Sequence, residues 1–267
     1  MKASLVYSIF SVLSFILFYS YEPSHVMSLL FIIGFLASIV GTLYGGGGLI
    51  TLPAMMLLGI PVQMSVATNK FSSGLAAFVN VMTLLYQRKI TLQNIWWLLC
   101  TAFCGGVFGA FVTVKLSTEV MNVVACIFLL FTLVITVKRK KLVASKMQNS
   151  TSKRQLTILP LLIGMYDGGF GPGSSTMSIL YFLKRGFSYL KAAEYTRVLI
   201  FSSCSGAFIW FYLTGFINWG YVWPITIGSI IGSQLGLNLL PYISAKYLER
   251  LLPIILVLLI FQVLWNN

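Results

Sequence analysis

From residue 26 onward the chain alternates apolar runs with short polar breaks, and each apolar run reads as helix. The runs over about 65–87, 95–114 and 120–137, and again over 189–213, 219–240 and 247–265, carry few charges. Each is close to the roughly 20 residues needed to cross a hydrocarbon layer about 30 Å thick. Each set of three follows a pair of runs, 26–44 with 49–58 and 156–166 with 174–183. Glycine breaks both pairs: Tyr44-Gly45-Gly46-Gly47-Gly48 in the first, Tyr166-Asp167-Gly168-Gly169-Phe170-Gly171-Pro172-Gly173 in the second. The second member of each pair has about ten residues, roughly 15 Å of helix, which reaches the middle of a bilayer without crossing it. Each pair is therefore expected to form a re-entrant hairpin whose irregular backbone is buried in protein or lines a wet cavity. The longer 26–44 member leaves open how far the first hairpin crosses. One further apolar run, Leu5 to Phe18, follows Lys2 without a small-x-small cleavage site after it, so a retained N-terminal helix is expected within 1–25.

The two sets are related to each other. An offset of 127 aligns Gly59 with Gly186, Lys70 with Arg197, Ile90 with Ile217, Trp96 with Trp223, Gly105 with Gly232 and Gly109 with Gly236. Upstream, one gap changes the offset to 126 and pairs Gly45 with Gly171 and Gly47 with Gly173. Many identities along one diagonal argue for a duplication. The expected organisation is an N-terminal transmembrane helix (1–25), a first repeat (26–137), a basic linker (138–155) and a second repeat (156–267).

Charge sharpens this picture. Only 9% of the 267 residues are charged and 58% are apolar, where a soluble domain carries about a quarter charged residues. The net charge of +13 would suggest nucleic acid in a soluble protein; here the cations lie in short loops and set topology instead. With the N-terminus and the 138–154 linker on the cytoplasmic side, 15 of the 18 Lys and Arg fall inside and only Lys115 outside. That asymmetry arises only if each hairpin returns to the side it entered from, which inverts the second repeat relative to the first. The expected fold is thus an all-α integral membrane protein of two inverted repeats in the plasma (inner) membrane. The four cysteines, Cys100, Cys104, Cys126 and Cys204, fall inside apolar runs without a metal-binding pattern and are expected to be small buried apolar residues.

Two cations remain inside the spans, Lys70 and Arg197, each about 25 residues behind its glycine break. A lone cation at a helix centre costs roughly 2.5–3.5 kcal/mol on insertion scales, so it either snorkels to the interface or serves a site. Matching breaks in two halves point to a transporter's substrate site near the midplane. Gly45, Gly46, Gly47 and Gly48, and Gly171, Pro172 and Gly173, can turn N–H groups toward one point as an anion nest, and the legs that follow add positive helix ends. Thr68 and Asn69 precede Lys70, and Thr196 precedes Arg197, supplying hydroxyl and amide groups. Asp167 is a candidate proton carrier, a cap for the break or a partner for a cation. Glu194, one turn before Arg197, is a second candidate for coupling or simply neutralises it. The Gly105-Gly106-x-x-Gly109 and Gly228-x-x-x-Gly232-x-x-x-Gly236 stretches read as helix-packing seams.

The stretch Gly45-Gly46-Gly47-Gly48-Leu49-Ile50-Thr51-Leu52-Pro53, then Gly59-Ile60-Pro61 and Ala67-Thr68-Asn69-Lys70, resembles the sulfite exporter TauE/SafE family of membrane transporters. The second-half stretch Tyr166 to Pro172 is similar to that family's repeated motif. The resemblance implies an integral plasma-membrane protein that moves sulfite, an organosulfonate or a related sulfur-containing anion, often outward. It also implies an acidic residue in many members where this chain has Gly41. No nucleotide-binding motif is present, and one histidine with five acids offers no intramembrane catalytic set. A secondary anion transporter is expected, with an anion channel or a non-transport assembly role as alternatives. A small anion and the bilayer are the expected partners, with self-association left open, and neither cofactor, metal nor nucleic acid is implied.

Overall fold

The computed structural model describes residues 23–242 apart from 118, 122, 125, 126 and 128–154. The N-terminal helix, most of the 120–137 span, the basic linker and the 247–265 span lie outside the described residues. The described elements are helical throughout. They are α1 (Pro23–Tyr44), α2 (Gly47–Leu57), α3 (Val62–Tyr86), α4 (Leu92–Val114), α5 (Gln155–Gly169), α6 (Ser174–Lys184), α7 (Tyr189–Leu213) and α8 (Trp219–Leu239). Three helices, within α1, α4 and α7, are long and apolar enough to cross a membrane. The comparably long α3 and α8 are more polar because residues such as Ser72, Asn80, Ser229 and Ser233 face the protein interior, where they are buried.

Elements end where local chemistry predicts. Gly45 N–H bonds to the Gly41 carbonyl and Gly171 N–H to the Tyr166 carbonyl, closing α1 and α5 with left-handed backbone at φ +84° and +100°. Such a cap costs a Cβ-bearing residue strain that glycine escapes. Ser188 and Asn218 cap α7 and α8 by accepting backbone N–H bonds from Lys191 and Gly220. The 11-residue α2 and α6 are only about 16 Å long.

The packing is crosswise. α8 lies against α1, and α4 against α5, so the last described helix of each group of four covers the first helix of the other. α3 and α7 cross at the centre, and each also carries a short helix, α2 on α3 and α6 on α7. The principal contacts, α1 with α8, α4 with α5, α4 with α7, α3 with α8 and each short helix on its long neighbour, map onto one another when the two groups are exchanged. Contacts match residue by residue as well. A Cβ on Gly105 would stand 2.3 Å from the Leu161 carbonyl oxygen, and one on Gly232 2.1 Å from that of Phe35. Gly109 meets Met165, and Gly236 meets Ile39, in the same way. The glycine seams thus bring helix backbones together as expected for membrane packing.

Sense of direction follows from the same contacts. Phe71 meets Phe208, Gly74 meets Cys204 and Phe78 meets Phe201, so α3 and α7 run antiparallel. α1 and α8 run parallel, as do α4 and α5. Thr, Ser and Asn side chains are buried within a largely apolar interior, while Leu36, Phe108, Leu213 and Ile227 are exposed, the arrangement expected of a surface solvated by lipid. Cys204 is buried as expected, but Cys100 and Cys104 are exposed on α4. An apolar run has two apolar faces in a bilayer, and sequence alone does not separate the lipid-facing one. Cys126 lies outside the described residues.

Candidate functional site

The two glycine breaks meet. Thr176 Oγ donates to the Gly45 carbonyl at 3.1 Å, and a Cβ on Gly45 would stand 2.7 Å from Thr176 N. A Cβ on Gly48 would stand 3.5 Å from Pro172 Cα and 3.7 Å from Asn69 Nδ2. The first turn of α2 therefore faces the second break, and the first turn of α6 faces the first. The unpaired N–H groups of a helix's first turn and its positive dipole end are brought in from both halves. Gly46 caps α2, and Gly47 and Gly48 lie inside it, so this part of the expected nest is helix N-terminus rather than irregular backbone. Gly47 packs on its own hairpin, where a Cβ would be 3.1 Å from Gly41 Cα. Gly173 caps α6 in left-handed conformation at φ +83°.

Both cations are buried by protein rather than snorkelling. Lys70 is 1% exposed and Arg197 6%. They come from the central crossing pair: α3 carries Lys70 into the second break and α7 carries Arg197 toward the first hairpin. Lys70 Nζ stands 3.3 Å from Asp167 Oδ1 in a buried ion pair that joins the two halves. The same carboxylate accepts from Ser174 Oγ at 2.5 Å and from Ser203 Oγ, and Cys204 Sγ lies 3.5 Å from it. Lone pairs and charge of Asp167 are thus satisfied, which is the condition under which burial of a charged pair is tolerated. Gly171 makes room for this pair: a Cβ there would fall 2.2 Å from Lys70 Nζ.

Arg197 has a different environment. Its Nη2 donates to the Gly41 carbonyl at 3.1 Å, and its Nε is buried without a hydrogen-bond partner among the described residues. Glu194 does not neutralise it; that carboxylate faces Lys191, 3.2 Å away. A helix spaces i and i+3 equally well in either direction, and Lys191, one turn earlier at the helix start, wins the pairing. Lys191 also donates to the Lys89 carbonyl at 2.8 Å, tying the end of α3 to the start of α7.

The polar neighbours divide. Asn69 Oδ1 accepts from Thr51 at 2.8 Å and from Ser73 at 3.2 Å, and its amide nitrogen lies, with Pro172, beside Gly48. Thr68 is buried with Oγ unpartnered among the described residues, whereas Thr196 turns back onto its own helix and donates to the Ala192 carbonyl at 2.7 Å. The Pro172 carbonyl accepts from Tyr166 Oη at 2.6 Å, bracing the second break. Sequence reading missed Ser174, Ser203 and Thr51. Their signal was present as hydroxyls in otherwise apolar runs, one directly after Gly173 and one six residues after Arg197.

Buried charge at broken helices, inside a bundle with an apolar exterior, is the pattern of a multi-pass membrane transporter. The chain belongs to the sulfite exporter TauE/SafE family, whose model matches residues 30–263. It is similar to a probable membrane transporter protein of Haemophilus influenzae, 32% identical over 79% of this chain and 83% of that one. A probable membrane transporter protein of a Sinorhizobium species is 32% identical over 90% of this chain and 93% of its own length. The Escherichia coli probable membrane transporter protein YfcA is 24% identical over 90% of both chains. No solved structure matches. Membership in a transporter family also answers the enzyme question: the chain is a transporter, not an enzyme.

Proposed function

We propose that this transporter moves a small sulfur-containing oxyanion, such as sulfite or an organosulfonate, out across the plasma (inner) membrane. The anion binds near the midplane where the two glycine breaks meet, between Lys70 and Arg197. The observation that carries this reading is the convergence of two helix N-termini and two buried cations from opposite halves, of which Asp167 balances only Lys70, so that net positive potential suited to a small anion remains at Arg197. The family name and the resemblance supply the sulfur chemistry and the direction. Inverted repeats are supported by the exchange symmetry of the principal packing contacts and the antiparallel crossing of α3 and α7. The short α2 and α6 support re-entrant hairpins. Asp167 is the group best placed to couple transport to protons, since it joins Lys70 to α6 and α7.

Purified protein in proteoliposomes, assayed across a panel of sulfite, methanesulfonate, sulfate and chloride with and without a pH gradient, tests the proposal. Saturable flux of a sulfur oxyanion, altered by the gradient, is expected. Flux that rises linearly with concentration indicates a channel, and absence of flux for every anion overturns the reading.

Orientation makes a separate prediction. Gln63 Nε2 donates to the Leu116 carbonyl at 2.9 Å, bringing the start of α3 to the end of α4, while Lys191 meets Lys89 at the opposite ends. The first cluster belongs outside and the second inside by the distribution of Lys and Arg. In a background without native cysteines, Pro61→Cys and Thr214→Cys are expected to react with an impermeant thiol reagent in intact cells. Ser145→Cys, in the basic linker, is expected to react only after the membrane is opened. Labelling of Ser145→Cys from outside reverses the assigned orientation.

A further inference from the structure

Lys70 and Arg197 occupy matching positions, yet among the described residues only Lys70 has an internal anion. The offset of 127 pairs the cations, and the upstream offset of 126 pairs Asp167 with Gly41. The structure repeats both relations in space. Lys70 reaches Asp167 of the other half at 3.3 Å, and Arg197 reaches position 41 of the other half at 3.1 Å. There it finds a backbone carbonyl instead of a carboxylate. Of the five acidic side chains, Glu119 is exposed, Asp167 and Glu194 face Lys70 and Lys191, and Glu22 and Glu249 lie outside the described residues. Among the described residues, then, no carboxylate lies within ion-pairing distance of Arg197. A buried guanidinium with an unpartnered Nε is costly to maintain, and an anion arriving from solution removes that cost. Nη2 has one N–H on the Gly41 carbonyl, and the buried Nε–H is the donor left for an oxygen of an oxyanion.

We propose that Arg197 is the open anion seat among the described residues, and that Asp167 is a built-in anion filling the matching seat at Lys70. The inference rests on the transporter reading and deepens it: one oxyanion binds per chain, and it binds on the Arg197 side. The Lys70 seat keeps a resident carboxylate. Removing that carboxylate therefore opens a second seat.

Equilibrium binding of radiolabelled sulfite to purified, monodisperse protein, with methanesulfonate and sulfate as further probes, tests this. Wild type is expected to bind one anion per chain. Arg197→Gln is expected to weaken binding by roughly 30-fold or more, the loss of a buried charge-assisted contact. Arg197→Lys keeps the charge without the fork and is expected to fall between the two. Asp167→Asn is expected to bind two anions per chain. Asp167→Gly, which reproduces the residue at position 41, is expected to do the same should the amide variant fail to fold. Wild-type affinity in Arg197→Gln, or a stoichiometry of one in both Asp167 variants, overturns the inference while leaving the transporter reading intact. Failure of wild type to bind any of the three probes overturns that reading instead.

Discussion

Gly171→Ala is expected to abolish transport while the protein still elutes as a monodisperse species. Two costs fall on this substitution. The backbone sits at φ +100°, where a Cβ is strained by roughly 1–2 kcal/mol. The new methyl would also stand 2.2 Å from Lys70 Nζ and 3.2 Å from the Asp167 carbonyl oxygen, so the ammonium group must leave its place. Gly186→Ala separates the two effects. That residue has φ +86° with nothing within 4 Å of an added Cβ, so it carries the strain without the displacement. Initial flux into proteoliposomes, normalised to folded protein, should be near the wild-type rate for Gly186→Ala and near background for Gly171→Ala. Equal loss in both variants would mean that backbone strain alone matters and that the position of Lys70 does not.

Lys70→Gln is expected to be the most destabilising charge change in the described chain. It strands a carboxylate that is 3% exposed, and breaking a buried pair from one side costs roughly 3–5 kcal/mol. Lys70→Gln/Asp167→Asn removes both charges and keeps hydrogen-bonding groups near Ser174 and Ser203, so most of the stability should return. Thermal unfolding in detergent of wild type, both single variants and the double variant measures the coupling as a double-mutant cycle. Additive losses in the double variant would show that the pair does not hold the two halves together.

Which parts of this site could be read from the sequence follows from what a bilayer does to statistics. Against an apolar background, Lys70, Arg197, Asp167 and the glycine breaks stand out as exceptions, and all of them belong to one central region. Helix positions were equally legible, because runs of apolar residues between breaks leave little freedom in where a helix starts. Partnerships were not legible. Lys70 finds Asp167 across 97 residues of chain, and Glu194 chooses Lys191 over Arg197, because pairing depends on how α3, α5 and α7 are rotated about their axes. Gly171 shows a second limit. Sequence reasoning assigns it a value for the N–H it can aim, whereas the structure spends that N–H on capping α5 and uses the missing Cβ as space. Both readings predict an intolerant glycine, and only coordinates tell them apart.

The crosswise packing of α1 with α8 and of α4 with α5 has a consequence for how the protein is made. α1 is complete at Tyr44, but its covering helix begins at Trp219, 175 residues later in the sequence. At bacterial-to-eukaryotic elongation rates of about 5–20 residues per second, that is a wait on the order of 10–35 s. During it the backbone groove that will receive Gly228, Gly232 and Gly236 stands uncovered beside the ribosome's exit into the membrane. α4 waits far less, since α5 follows it after the linker. The first of the described helices is therefore the last of them to be enclosed, and the nascent chain depends on insertion machinery or lipid to shield α1 until α8 has been made.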